Sequence, residues 1–167
     1  MGSGKTSIGK KLSKMMKFDF IDTDFVIEEK TGVDIPTIFE HEGEQGFRDR
    51  ETKVLKEISN SKNTIIGTGG GIIISKTNRE IIIKLGFVVY LTASVKELFY
   101  RTEHDKNRPL ISAENTKNEI LKLLNERKEY YEKCSNVTIS TDNYDTVKIS
   151  KVIINNYEKY EKNNSQT

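Results

Sequence analysis

Residues 2–6 read Gly-Ser-Gly-Lys-Thr, and Ser7, Ile8 and Gly9 follow directly. The run matches the end of G-x-x-x-x-G-K-[ST], a loop whose backbone amides wrap around phosphate. No other feature constrains the fold as much. Such a loop belongs at a strand-to-helix junction, where the helix N-terminus adds positive charge. The helix is legible: Ile8, Leu12, Met15 and Met16 recur at helical spacing, which predicts an amphipathic helix over Lys5–Met16. The strand is not: only Met1 precedes Gly2, and the first glycine of the pattern is absent. A bare glycine-rich end is the competing explanation, but GKT leads at once into the helix and then into a short aromatic segment, FDFID (18–22).

Downstream, helical and strand patterns alternate. Short helices are expected at 24–30 and 36–40, and a longer one at 44–59. A strand at 63–67 runs into the glycines of GTGGG, and a helix is expected at 78–85. FVVYLTA (87–93) is apolar throughout, as a parallel strand covered on both faces requires. Helices at 95–102 and 116–134, a strand at 136–141 and a helix from 146 to about 160 complete the order. HDKNRPLISAEN (104–115) reads as a mobile polar loop. This alternation predicts an α/β domain with a mainly parallel sheet. One domain over 1–162 is expected, with a frayed tail at 163–167. With 27 basic and 25 acidic residues the net charge is +2, which gives no case for nucleic acid or an anionic membrane as partner. A single cysteine, Cys134, excludes an internal disulfide and suits a reducing, cytoplasmic setting; a packing role is expected for it. His41 and His104 lack zinc-ligand spacing.

Several residues carry chemistry. Gly2, Ser3 and Gly4 would present backbone amides to phosphate, Lys5 would reach the β- and γ-phosphates, and Thr6 could ligate Mg²⁺. Asp22 and Asp24 sit at the carboxyl end of a strand, where α/β sheets bind ligands. One could serve the metal and the other an acceptor hydroxyl; a helix N-cap is the plainer alternative. In FRDRE (47–51), Glu51 falls on the apolar stripe of its helix beside Arg48. A buried carboxylate needs a partner, and an arginine braced by it suits a carboxylate ligand. A surface ion pair is the alternative. Gly69, Gly70 and Gly71 exceed what a turn needs and could seat a small ligand on bare backbone. Arg101 and Arg108 bracket the polar loop. Arg127 shares a helix face with Ile120 and Leu124, which points to an anionic ligand or to a satisfied core arginine.

Taken together, GSGKT, D-T-D, G-E-x-x-F-R-x-x-E, GGG, R-P-L and R-x-x-x-Y-E resemble the shikimate kinases in order and spacing across residues 1–141. The resemblance implies a three-layer α/β/α phosphate-loop kinase fold, with five strands in the family of which the first is absent here, and a lid at about 103–115. It implies transfer of the ATP γ-phosphate to the 3-hydroxyl of shikimate by a cytoplasmic monomer that uses Mg²⁺. Residues 2–7, Ser7 included, would bind the nucleotide with Arg101 near adenine and Arg108 as the lid arginine on the phosphates. Thr6 and Asp22 would serve the metal. Asp24, Arg48, Arg127 and Gly69 to Gly71 would bind the acceptor, and Lys5, Asp24 and Arg108 would be catalytic. Other small-metabolite or nucleoside monophosphate kinases of this fold, and an inactive nucleotide-binding chain, are the rival readings.

The chain departs from the family pattern twice. DNYDT (142–146) lacks the arginine and proline that often flank adenine, which leaves main chain or Tyr144 to serve. The strand before the phosphate loop is also missing. In the family it lies between the strands ending at Gly67 and starting at Phe87. Its five or so apolar side chains would contribute on the order of 8–15 kcal/mol, comparable to the about 5–15 kcal/mol by which a domain is stable. The expectation is therefore that the natural protein starts upstream and that Met1 is an internal methionine of the loop.

Overall fold

Helices and strands alternate from the first residues in the computed structural model, which describes residues 2–102, 116–142 and 145–165. Helix α1 (Lys5–Met16) leads to strand β1 (Asp19–Asp22), then α2 (Thr23–Thr31) and α3 (Ile35–Glu57). Strand β2 (Thr64–Gly67), α4 (Lys76–Leu85), β3 (Val89–Thr92) and α5 (Val95–Thr102) follow. Helix α6 (Thr116–Cys134), β4 (Val137–Ser140) and α7 (Thr146–Asn164) end the order.

The boundaries have local causes. Asp22 caps α2 by accepting from the Asp24 amide, Asp34 caps α3 through Thr37 N–H, and Ser75 and Asp145 cap α4 and α7. Two features differ from the sequence reading. The helices expected at 36–40 and 44–59 form one long element with a non-helical kink at Gly43 (φ 69°, ψ −178°); the glycine bends the chain without ending it. The last helix continues past its expected end to Asn164, where the Ser165 N–H bonds to Glu161.

The strands form two parallel pairs. β1 pairs with β2 in the register Asp19–Thr64 to Asp22–Gly67, and β3 pairs with β4 from Val89–Val137 to Thr92–Ser140. The expected mainly parallel sheet is thus present as two halves, with no ladder joining β2 to β3 among the described residues. Between them runs a cavity of about 620 Å³.

Three layers result. On one face α1 and α7 pack Ile8, Leu12, Ile149 and Ile153 against Ile65, Val89 and Leu91 of the strands. On the other face Leu55, Ile72 and Ile82 form a second cluster with Val88. Helices α2 and α3 make a separate lobe around Ile27, Ile38, Phe47 and Val54. Cys134 is a buried free thiol, in keeping with the packing role expected of it. Among the described residues, no helix is long and apolar enough to cross a membrane.

Candidate active site

The phosphate-loop segment is built for an anion. Gly2 (φ +58°) and Gly4 (φ +82°) both take left-handed backbone, which a side chain would disfavour. Gly4 opens α1 with its carbonyl accepting from Ile8 N–H at 2.9 Å. No side chain caps this end and no acidic residue occupies the first turn, so the positive end of α1 is uncompensated. Ser3 is buried, Lys5 is half-buried and Thr6 and Ser7 are exposed.

Thr6 and Asp22 meet. The Thr6 hydroxyl donates to Asp22 Oδ2 at 2.9 Å, and Asp22 Oδ1 accepts the Asp24 amide at 3.2 Å. Asp22 is therefore both the helix cap and the neighbour of the loop threonine. A hydroxyl and a carboxylate are hard oxygen donors of the kind Mg²⁺ prefers when phosphate oxygens and water complete its shell. No dedicated cluster of three or more acidic, histidine or cysteine side chains exists among the described residues, so such an ion would need the phosphates.

Across from the loop lies a polar pocket. Arg48 is buried, donating from Nη1 to Glu51 Oε2 at 2.6 Å and from Nη2 to Glu44 Oε1 at 2.8 Å. It is a buried pair, not the surface bridge that was the alternative. Burial pulls the guanidinium pKa down, but Glu51 and Glu44 outweigh it and the net shift is upward. Glu51 is fully buried, and this desolvation pushes its carboxyl up to about 7 against the pull of Arg48, with the Asp24 charge adding to the rise. The Asp24 carboxyl is also raised, first by burial and then by Asp22, while Lys5 lies near enough to oppose the shift. Three buried atoms here lack any hydrogen-bond partner among the described residues: Asp24 Oδ1, Glu51 Oε1 and Arg127 Nε. Unpaired buried polar groups are rare and costly. Three converging on one site mark a place prepared for a polar ligand.

The glycines make this convergence possible. A Cβ on Gly69 would sit 2.7 Å from Asp24 Oδ1 and 3.0 Å from Glu51 Oε1. One on Gly71 would sit 2.3–2.6 Å from the Arg48 guanidinium. Their bare faces thus admit the charged side chains themselves. Gly70 contributes its carbonyl, which accepts from the Tyr131 hydroxyl. The Gly69 amide donates to Thr23 Oγ1 at 3.4 Å, joining the ends of β1 and β2.

The Arg101 guanidinium is held at its edges. It donates to Gly2 O at 3.2 Å, Thr141 Oγ1 at 3.1 Å and Thr141 O at 2.7 Å, and pairs with Glu97 at 3.0 Å. It ties the loop to the end of β4. Arg108, the expected lid at 103–115 and Tyr144 lie outside the described residues. Sequence reading passed over Thr23, Tyr131 and Thr141. Tyr131 stood in the R-x-x-x-Y-E motif, but its partner Gly70 is distant in sequence and no local spacing could have supplied it.

The chain is similar to known proteins over most of its length. The family model described as shikimate kinase matches residues 1–158. A shikimate kinase of Legionella pneumophila (strain Corby) is 42% identical over 160 residues, spanning 96% of this chain and 89% of its own. One from Actinobacillus pleuropneumoniae serotype 5b (strain L20) is 42% identical over 142 residues, 85% of this chain and 82% of its own. Among solved structures, shikimate kinase from Acinetobacter baumannii in complex with shikimate superposes with a TM-score of 0.90 at 42% identity, covering 92% of this chain and 86% of that one. The Aquifex aeolicus enzyme superposes at 0.82 with 30% identity, covering 95% and 92%.

Proposed function

The chain belongs to the shikimate kinase family, and on that premise we propose that it transfers the γ-phosphate of ATP to the 3-hydroxyl of shikimate, giving shikimate 3-phosphate. The observation that carries the reading is the pocket of unpaired buried atoms on Asp24, Glu51 and Arg127 beside Arg48, within electrostatic reach of Lys5. A pocket that combines arginines with an acid suits a molecule carrying both a carboxylate and hydroxyls.

Residues 2–7 hold the triphosphate through backbone amides and the end of α1, and Lys5 compensates the β- and γ-phosphate charge. Arg48 and Arg127 grip the acceptor carboxylate, the first held rigid by Glu51 and Glu44. Asp24 accepts the acceptor hydroxyl proton, and burial, by raising its pKa, makes it a better base than an exposed carboxylate. The hydroxyl oxygen then bonds to the γ-phosphorus as the bond from that phosphorus to the β–γ bridging oxygen breaks. ADP carries the bridging oxygen away. Thr6 and Asp22 are the residues that would hold Mg²⁺, which supplies Lewis-acid compensation of phosphate charge when bound. Arg108 is assigned to the transferring phosphate, whose charge its guanidinium would compensate. The reading takes residues 1–162 as one catalytic unit, a monomer of the cytoplasm.

The test is ADP release coupled to a reporter, with shikimate as the varied component. Shikimate-dependent turnover with ATP and Mg²⁺ is the expected result. Turnover only with another acceptor, or none in folded protein that binds both ligands, would overturn the assignment.

A further inference from the structure

Resting on the function proposed above, we infer that Tyr131 is a positioning residue for the acid: its hydroxyl joins Arg127 to the Gly70–Gly71 peptide, so that the second arginine and the glycine platform act on the carboxylate as one unit.

The hydroxyl has little choice in how it bonds. Tyr131 follows Arg127 by four residues on α6, so the two share a helix face. The Arg127 guanidinium acts on the Tyr131 hydroxyl both as a charge and as a hydrogen-bond donor. An arginine has no acceptor, so towards Arg127 the phenol oxygen can only accept. Its single proton is left for the Gly70 carbonyl, which takes it. Burial raises the phenol pKa above its ordinary 10, so the proton stays in place at neutral pH.

The ring is held as well. It stacks on Tyr90 of β3, with centroids 4.6 Å apart and planes 18° apart. Helix α6 and strand β3 therefore aim the hydroxyl at the turn that follows β2, across 61 residues of sequence. The charges of Arg48 and Glu51 also act on Tyr131, which places it beside both arginines of the clamp.

Fixing the Gly70 carbonyl fixes the next amide. A trans peptide is planar, and its N–H points opposite to its C=O. With the carbonyl turned to Tyr131, the Gly71 N–H is turned away from it. Gly71 is buried, and its N–H makes no hydrogen bond among the described residues. A buried N–H without a partner is rare. The Arg48 guanidinium lies against the same residue, 2.3–2.6 Å from where a Cβ would stand. Glycine on both sides of the peptide leaves no side chain to resist its rotation. The Tyr131 hydroxyl supplies that restraint, and the same oxygen steadies Arg127.

The test is steady-state kinetics with shikimate varied at saturating ATP. Tyr131→Phe should raise KM for the acid about fivefold or more, with kcat and the KM for ATP each within about twofold. Tyr90→Phe, which removes the other hydroxyl of the stack, should leave both KM values unchanged. In an Arg127→Lys background, Tyr131→Phe should add less than about twofold, because the two residues act together. A ring analogue with a primary alcohol in place of the carboxylate should show the same KM with the wild-type chain and with Tyr131→Phe. An unchanged KM for shikimate in Tyr131→Phe would overturn this inference alone. So would an equal rise for the alcohol analogue, full additivity with Arg127→Lys, or a matching rise from Tyr90→Phe. A folded wild-type chain without shikimate turnover would overturn the function itself, and this inference with it.

Discussion

Arg48 Nη1 and Glu51 Oε2 lie 2.6 Å apart inside the protein, while Glu51 Oε1 has no hydrogen-bond partner among the described residues. Removing two charges from water costs more than one contact returns, so such a pair is weak support for the fold. It is better understood as an arginine held in position for a second anion.

This pair gives the fold a pH dependence. The Glu51 carboxyl is raised to about 7 from its ordinary 4.5, chiefly by burial. Between those values the folded chain holds a proton that the unfolded chain has lost. Stability therefore falls as pH rises through this window, by an amount on the order of 3 kcal/mol if Glu51 acted alone. Thermal unfolding of the ligand-free protein from pH 5 to 8 should show the decline, and Glu51→Gln should flatten it. The groups facing Glu51 are Arg48, Asp24, Arg127 and Tyr131, and all remain in the variant.

Lysine at position 48 or 127 keeps the charge but loses the planar fork. Arg48→Lys and Arg127→Lys should each raise KM for the acid about 10- to 100-fold, with a smaller change in kcat. Steady-state kinetics with shikimate varied at saturating ATP decides this. An unchanged KM would remove the residue from the carboxylate site.

Gly71→Ala places a methyl 2.3–2.6 Å from the Arg48 guanidinium, which must move. Loss of acid affinity is expected with ATP affinity kept, together with a stability cost of about 1–3 kcal/mol from overpacking. Calorimetric titration of each ligand separates the two sites.

Thr6 and Asp22 share a hydrogen bond across the start of α1. Asp22→Asn should shift the Mg²⁺ concentration for half-maximal activity upward by about tenfold, while excess Mg²⁺ restores most of the rate. A variant with unaltered Mg²⁺ dependence would place the ion elsewhere.

Tyr131 stacks on Tyr90 with ring centroids 4.6 Å apart and donates to the Gly70 carbonyl. Tyr131→Phe keeps the stack and drops the hydrogen bond, at a stability cost of about 1 kcal/mol. It should weaken acid binding several-fold with little effect on ATP. Equal loss for both ligands would assign the residue a merely structural part.

What could be seen in the sequence depended on distance along the chain. Arg48 and Glu51 are three residues apart, so helical spacing alone put them side by side. Asp22 and Asp24 were visible because a strand end precedes a helix start. Arg127 was visible as a charge on an apolar stripe. The span 35–57 was harder: Gly43 reads as a break, yet the helix resumes beyond it because Phe47 and Val54 bury against Ile27 and Ile38. The contacts that complete the site were out of reach. Tyr131 meets Gly70 across 61 residues and Arg101 meets Gly2 across 99. The glycines of GTGGG signalled close approach, but only the fold shows that Arg48, Asp24 and Glu51 are what approaches.

Arg101 has one more effect. Where backbone rungs do not stitch the two sheet halves together, its guanidinium acts as a rivet, gripping Gly2 on one side and Thr141 on the other. The cation adds a geometric, charge-assisted link between the phosphate loop and β4 to the packing of both halves under α1 and α7. Whatever tugs on the loop, an arriving nucleotide above all, will be felt first at β4.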